Sequence, residues 1–398
     1  MCELLTMLIL YLKPLYSTIL SVFKINVSAG QLSKLYIVVS LITYVILFFK
    51  YEKNKFVIRK STAVSLLICV IFLLGGLITI WRYGYIHTSF LSEYLSFGSA
   101  SICAILLGNQ MAIDHKIAGL GKFIPLFVVM ISITTFVSVI TGDRVNGLLS
   151  ASNSIDYQSA SYYAAFAFGL NLYYIKYYDH LEHYNWIRIF KPIFYVLPFL
   201  QIVATFMAGG RGGTVLLIIL MLYFGFHYLK DNKVSLAMCI KILVLCIIAL
   251  IGILLLLKKS NSVAGLNRLM HFFEKPLDSE RSRLHTLAME GFKNSPLLGN
   301  GTGSVFYIFD RYSHNLFYDF LCEYGIIGIF VLIYVGLVRI RNQYRLSRMA
   351  EVNSFSTVVF LCAFVFLMFS SYYLSEQMLW FFIGFASVKE KKVNDRNR

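Results

Sequence analysis

The sequence predicts an all-α polytopic membrane protein of about 12 transmembrane helices, and three observations carry that expectation. Only 14% of its 398 residues are charged and 58% are hydrophobic, whereas soluble domains average about 25% charged. A water-soluble fold of this size could not hide so much apolar surface. The apolar residues come in runs of spanning length, and the basic residues sit in the gaps between those runs, as membrane topology demands.

Taken in order, the runs fall at 4–20, 34–49, 62–81, 91–109, 123–140, 158–177, 189–207, 213–229, 235–257, 316–338 and 355–388. The first carries Lys13 and lacks a small-residue cleavage site, which predicts a retained span rather than a signal peptide. The fourth is polar for much of its length and brings Glu93 toward one surface. The last holds 34 residues, about 51 Å of straight helix at ~1.5 Å per residue. A hydrocarbon core is only ~30 Å thick, so the polar interruption SSYYLSEQ predicts two short spans that turn near Ser370–Glu376. The expected total is twelve, in a single integral membrane domain over 1–398 with both termini cytoplasmic.

Charge tests that topology. The segments FKYEKNKFVIRK and RIRNQYRLSR, the loops near Lys116, Arg188 and Lys230, and the tail KEKKVNDRNR would be cytoplasmic. They hold 21 Lys and Arg against 13 on the opposite face, eight of those in one long external loop at 258–315. The formal net charge of +16 therefore points to membrane lipid headgroups and an anionic lipid-linked substrate, not to nucleic acid. None of the seven cysteines forms a CxxC motif, and those in apolar runs read as small buried hydrophobes. No soluble domain, phosphate-binding loop or dinucleotide fingerprint is present. Neither is HExxH or a His/Cys cluster, so no metal and no cofactor is expected.

Chemistry then has to come from span ends and the external loop. Arg211 lies in MAGGRGGT, between two runs, with four glycines close by. Those glycines permit a tight turn, close approach of a ligand and open backbone N–H groups for an anion. Arg281 and Arg283 sit in DSERSRLH, where Leu284, Leu287, Ala288 and Phe292 have helical spacing and predict an amphipathic surface helix from Ser282 to Lys293. Pro296 and the glycines of LLGNGTG would end it. Arg281 and His285 share a face of that helix, and Arg283 points elsewhere. His314 lies in DRYSHNLF at the entry to the next span, with Asp310, Arg311, Tyr312 and Asn315 around it. It could accept a proton from a sugar hydroxyl or simply mark a helix entry. Glu323 falls about two turns into that span, where a carboxylate needs a partner; a structural role, pairing with an arginine or orienting a polar group, is the plain reading. Arginines match diphosphate oxygens bidentately and would stabilise the charge that develops as a diphosphate leaves.

Three pieces of the second half resemble the bacterial superfamily of O-antigen ligases and oligosaccharide repeat-unit polymerases. The turn GGRGG at 209–213 is similar to that family's Ser/Gly-Arg-Gly turn. SERSRLHTLAMEGFKNSPLLGNGTG resembles its arginine, short helix and Pro-Leu-x-Gly-x-Gly, with Arg281 on the family's arginine. SHNLFYDFLCEYGIIG is similar to its His-Asn followed by Glu-x-Gly, giving His314, Asn315, Glu323 and Gly325. The chain departs from the pattern in having His285 where an aromatic is usual and glycine where serine often precedes the turn arginine.

The resemblance implies metal-independent inverting glycosyl transfer at the external face of the bacterial cytoplasmic membrane. Arg211, Arg281 and His314 would be catalytic, and Arg283, Arg311, Tyr312, Asn315 and Glu323 would bind substrate. The donor would be a glycan on undecaprenyl diphosphate. In a polymerase of capsule, exopolysaccharide or O-antigen the acceptor would be a second lipid-linked repeat unit, with a chain-length regulator and a flippase as partners. In a ligase it would be a lipid A–core sugar or another acceptor. A transporter of an anionic or lipid-linked substrate is the remaining expectation, and it would place essential charges near mid-membrane.

Overall fold

The computed structural model describes residues 1–25, 29–52, 58, 60–114, 117–142, 144–145, 148–149, 155–232, 279–346 and 350–386. The expected span at 235–257 and the first part of the external loop, 258–278, lie outside them. The described chain is helical apart from a two-residue antiparallel pairing of Arg144–Val145 with Leu148–Leu149.

The helices, in order, are α1 (Cys2–Val22), α2 (Ala29–Glu52), α3 (Lys60–Tyr83), α4 (Thr88–Ser96), α5 (Ile102–Asp114), α6 (Ile124–Thr141), α7 (Tyr157–Lys176), α8 (Asn185–Ile189), α9 (Lys191–Ala208) and α10 (Arg211–Asn232). After the undescribed stretch come α11 (Ser279–Asn294), α12 (Ser304–Phe309), α13 (Leu316–Leu346), α14 (Ala350–Phe369) and α15 (Gln377–Phe385). Among the described residues, nine helices are long and apolar enough to cross a membrane, so the protein is a multi-pass membrane protein. The polar fourth run is one span, α4 and α5 joined by a π-helical turn at Phe97–Ser101. The final run does break where SSYYLSEQ interrupts it, α14 ending at Phe369 and α15 starting at Gln377.

Two ends of the bundle can be told apart by their contacts. At one, Lys50 meets Cys2 at 3.1 Å, Arg339 donates to Ser65 at 2.7 Å and Gln343 donates to Asn353 at 2.7 Å. At the other, Thr134 donates to Thr18 at 2.8 Å, Ser161 to the Gly210 carbonyl at 2.9 Å and Tyr312 to the Ser370 carbonyl at 3.0 Å. Successive long helices therefore run in alternating directions. The turn before α10, the start of α13 and the α14–α15 connection gather at this second end.

Helices α1 and α7 lie inside the bundle. Helix α7 packs against α6, α9, α10 and α14 and is buried over nearly its whole length. Its polar side chains face protein, where partners can satisfy them: Asn171 donates to the Phe194 carbonyl at 3.0 Å, next to Gln201, which donates to Ser132 at 2.8 Å. Lipid is left to the outer helices α2, α3, α9 and α13, which carry exposed Leu, Ile, Val and Phe.

Candidate active site

Helix α9 closes on Gly209 in the left-handed region (φ 82°), and α10 begins at Arg211. The glycines on either side of Arg211 are explained first by packing. A Cβ on Gly210 would lie 2.6 Å from the Ser161 Cβ, and Cβ atoms on Gly212 and Gly213 would collide with the Tyr162 hydroxyl and with Ser161. The turn is thus pressed against the first turns of α7, and Arg211 stands half-buried at the N-terminus of α10. There the helix dipole adds to its attraction for an anion.

Helix α11 spans Ser279–Asn294, slightly longer than its apolar pattern predicts, and buries Leu284 and Ala288 toward α13. Arg281 is on the half-buried side and Arg283 is exposed, as their spacing implies. Among the described residues the Arg281 guanidinium makes no ion pair, yet it acts electrostatically on the Tyr162 hydroxyl, on His285 and on His314. His285 lies flat on Tyr318, ring centroids 4.3 Å apart. Burial, followed by the charge of Arg281, lowers its pKa. Arg311 is engaged by Glu280 at 2.7 Å, both about half exposed; a pair of that kind contributes at most ~1 kcal/mol and pins the start of α11 to the 310–315 turn.

The 310–315 turn is shaped by a side-chain amide and a carboxyl group. Asn315 caps α13, its Oδ1 accepting from the Phe317 and Tyr318 amides at 3.0 and 3.4 Å. Asp319 reaches back to accept from the Ser313 amide at 2.7 Å. Held this way, His314 takes a left-handed backbone (φ 62°), as Asp310 does (φ 66°), at a cost of about 1–3 kcal/mol each. The imidazole sits edge-on to Tyr312, centroids 4.6 Å apart, and beside the backbone of Ser370. Its Nδ1 is buried with no hydrogen-bond partner among the described residues. Burial, then Arg281 and Arg311, push its pKa down to about 4, so it is a neutral imidazole able to accept a proton or donate a hydrogen bond.

Helix α7 joins these pieces. Gln158 lies under Gly210 and its Oε1 accepts from Ser370 Oγ at 3.0 Å. Ser370 in turn borders His314 and receives Tyr312, while Tyr162 lies between the Arg211 turn and Arg281. The predicted trio thus collects at one end of the bundle around the first turns of α7. Gln158, Ser161, Tyr162, Ser370 and Asp319 are the neighbours that sequence reasoning missed. The only signal for the first three is the polar cluster QSASYY opening an otherwise apolar run.

Glu323 is buried in α13 with both oxygens occupied, by Tyr372 at 2.6 Å and Tyr373 at 2.5 Å. Two residues on, the helix breaks at Gly325 (φ 62°, ψ −159°). The loop after α11 fills the break: Asn300 and Gly301 amides donate to the Cys322 and Glu323 carbonyls at 3.0 and 2.9 Å. In return the Ile326 and Ile327 amides donate to the Pro296 and Leu297 carbonyls at 2.9 and 3.4 Å. The Asn300 side chain adds bonds to Gly291 and Cys322 carbonyls at 2.8 and 2.9 Å. Pro-Leu-x-Gly-Asn-Gly and Glu-x-Gly are therefore two halves of one joint, since non-helical backbone at this depth must be satisfied by protein. Arg283, by contrast, is not brought into the cluster.

Residues 196–333 match the family model described as O-Antigen ligase, a stretch that contains Arg211, Arg281, His314 and the joint at Gly325. No curated protein and no solved structure matches the chain. The family supports glycan transfer of the O-antigen ligase or polymerase type, with lipid-linked glycans as substrates. That match, over residues 196–333, supports the O-antigen ligase/polymerase superfamily for this multi-pass membrane protein.

Proposed function

We propose that the protein polymerises undecaprenyl-diphosphate-linked repeat units of a capsule, exopolysaccharide or O-antigen at the external face of the bacterial cytoplasmic membrane. The observation that carries this reading is the convergence of the Arg211 turn, Arg281 and His314 on the first turns of α7. Arg281 has no carboxylate to neutralise it among the described residues, so an anionic ligand would complete its environment. The acceptor hydroxyl oxygen bonds to the anomeric carbon from the face opposite the diphosphate, giving inversion. The anomeric C–O bond breaks, and its electron pair leaves with the diphosphate, whose growing charge Arg211 and Arg281 stabilise. The hydroxyl proton passes to His314, whose neutral imidazole becomes a better base once the diphosphate offsets the two neighbouring arginine charges.

In this reading Arg311, Tyr312 and Asn315 serve the substrate by holding the turn that carries His314, and Glu323 by fixing Tyr372, whose ring stacks on Tyr312. As partners, a flippase would act before this step and a chain-length regulator on its growing product. The family description favours a second reading, ligase transfer of the same donor to a lipid A–core or other acceptor.

The test is reconstitution with a synthetic undecaprenyl-diphosphate repeat unit, without added divalent ion. Wild type should give a ladder of products, and Arg211→Ala or Arg281→Ala should give none while remaining folded. Full extension by both variants rejects the diphosphate clamp. A wild-type enzyme that transfers once to a core acceptor and never extends the repeat unit selects the ligase.

A further inference from the structure

Helix α10 starts at Arg211 and finishes at the opposite end of the bundle. There Tyr223, Phe226, His227 and Lys230 share one helix face by their spacing of i, i+3, i+4 and i+7. That face lines a cavity of about 380 Å³, whose other walls are Ile340 and Gln343 of α13 and Asn353 and Thr357 of α14. Both α10 and α13 pack on α14, and side-chain bonds brace them there. The Tyr223 hydroxyl donates to Ser354 Oγ at 3.3 Å, and Gln343 Nε2 donates to Asn353 Oδ1 at 2.7 Å. Thr357 in turn donates to the Asn353 carbonyl at 2.8 Å.

The lining is divided between charge and hydrocarbon. Lys230 is exposed at the cavity's edge and, among the described residues, makes no hydrogen bond or ion pair. His227 stands beside it on the same face, edge-on to Tyr223 with ring centroids 4.7 Å apart. No carboxylate lines the cavity, so its field favours an anion. Phe226 and Ile340, with Phe360 and Leu361 of α14 and Phe382 of α15, make the remainder apolar. A ligand suited to both parts is an amphiphile with a negative head. Small-ligand pockets usually hold about 300–1,000 Å³, so this one admits a headgroup and the first methylenes of its chains, and the rest would lie in the bilayer.

We propose that this cavity binds the phosphodiester headgroup of one anionic phospholipid, of the phosphatidylglycerol kind, from the leaflet opposite the clamp. Basic pockets between spans at the cytoplasmic side suit such headgroups, and the proposal rests on the glycan-transfer reading only in calling this side cytoplasmic. A zwitterionic lipid brings an ammonium of its own and gains less from Lys230. The three helices around the cavity each carry part of the transfer site at their other end: α10 begins at Arg211, α13 follows His314, and α14 leads into Ser370. One bound lipid therefore ties together the far ends of the helices on which that site is built.

The test uses the full-length protein, delipidated in a neutral detergent, with dioleoyl phosphatidylglycerol as the probe and native mass spectrometry and thermal unfolding as readouts. Wild type should hold one phosphatidylglycerol per chain and melt at a higher temperature as the lipid is titrated in. Phosphatidylcholine and glycerol 3-phosphate should do neither. Lys230→Ala should raise the half-saturating lipid concentration about fivefold, the worth of one lysine beside an anionic lipid. Arg188→Ala removes a charge that is exposed just before α9 at the same end but does not line the cavity, and should bind as wild type does. Unchanged binding by Lys230→Ala, equal loss in Arg188→Ala, or the same response to phosphatidylcholine or glycerol 3-phosphate overturns the proposal. This binding needs no glycan, so an Arg281→Ala protein that kept its product ladder would end the clamp and leave the lipid site standing.

Discussion

Gly325→Ala is the most discriminating single change. Its backbone (φ 62°, ψ −159°) is one that only glycine adopts readily, and forcing an L residue there costs about 1–3 kcal/mol. A new Cβ would also lie 2.5 Å from the Leu297 carbonyl carbon and oxygen and 2.6 Å from the Pro296 oxygen. Those are backbone atoms of the loop and cannot rotate away. The loop must retreat, and the bonds made by the Ile326, Ile327, Asn300 and Gly301 amides weaken at about 1 kcal/mol each. If half of them are lost, the total is roughly 3–5 kcal/mol. Thermal unfolding in detergent should show a large drop, and transfer should fall further, because the loop carries the end of α11 and hence Arg281. Gly336→Ala, in the same helix with nothing within 4 Å of the new methyl, is the control and should be neutral. A Gly325→Ala protein that melts and turns over like wild type would refute the joint as described.

Three further outcomes follow from the site. His314 is held near pH 4, below its ordinary 6.5, so the unfolded chain binds the extra proton and stability drains away as pH falls from about 6.5 toward 4; His314→Gln should show a shallower loss in melts across that window. Arg283→Ala removes an exposed side chain, so stability should stay within about ±0.5 kcal/mol and product ladders should persist; their loss would move the clamp to the wrong arginine. Glu323→Gln turns an amide N–H₂ toward one of two tyrosine hydroxyls that now donate to the carboxylate, and should cost about 1–3 kcal/mol by chemical denaturation, with no loss of diphosphate binding at a temperature where the variant is folded.

The spans were legible because hydrophobic length is written locally: α3, α6 and α14 fall close to the runs that predict them. The break in the last run was legible for the same reason, since 34 apolar residues cannot fit one membrane thickness. Arg211, Arg281 and His314 stood out as charge in places where charge is costly. What local pattern does not convey is which separated positions meet. Nothing local says that Gly210 and Gly213 are small because Ser161 presses on them, or that Asp319 reaches back six residues to set the backbone of His314. The glycines around Arg211 were expected to admit a ligand, and their nearest neighbours turn out to be α7.

The exchange of backbone hydrogen bonds between 296–301 and 322–327 has a consequence for engineering relatives of this protein. A segment that is stitched into a span in this way is not a detachable module. Grafting the arginine-bearing helix and its Pro-Leu-x-Gly-Asn-Gly tail from one homologue into another, while leaving the recipient's own span intact, would strand amides and carbonyls on both sides of the seam inside lipid. Donor specificity should therefore travel between family members only when both strips of chain are swapped as one cassette.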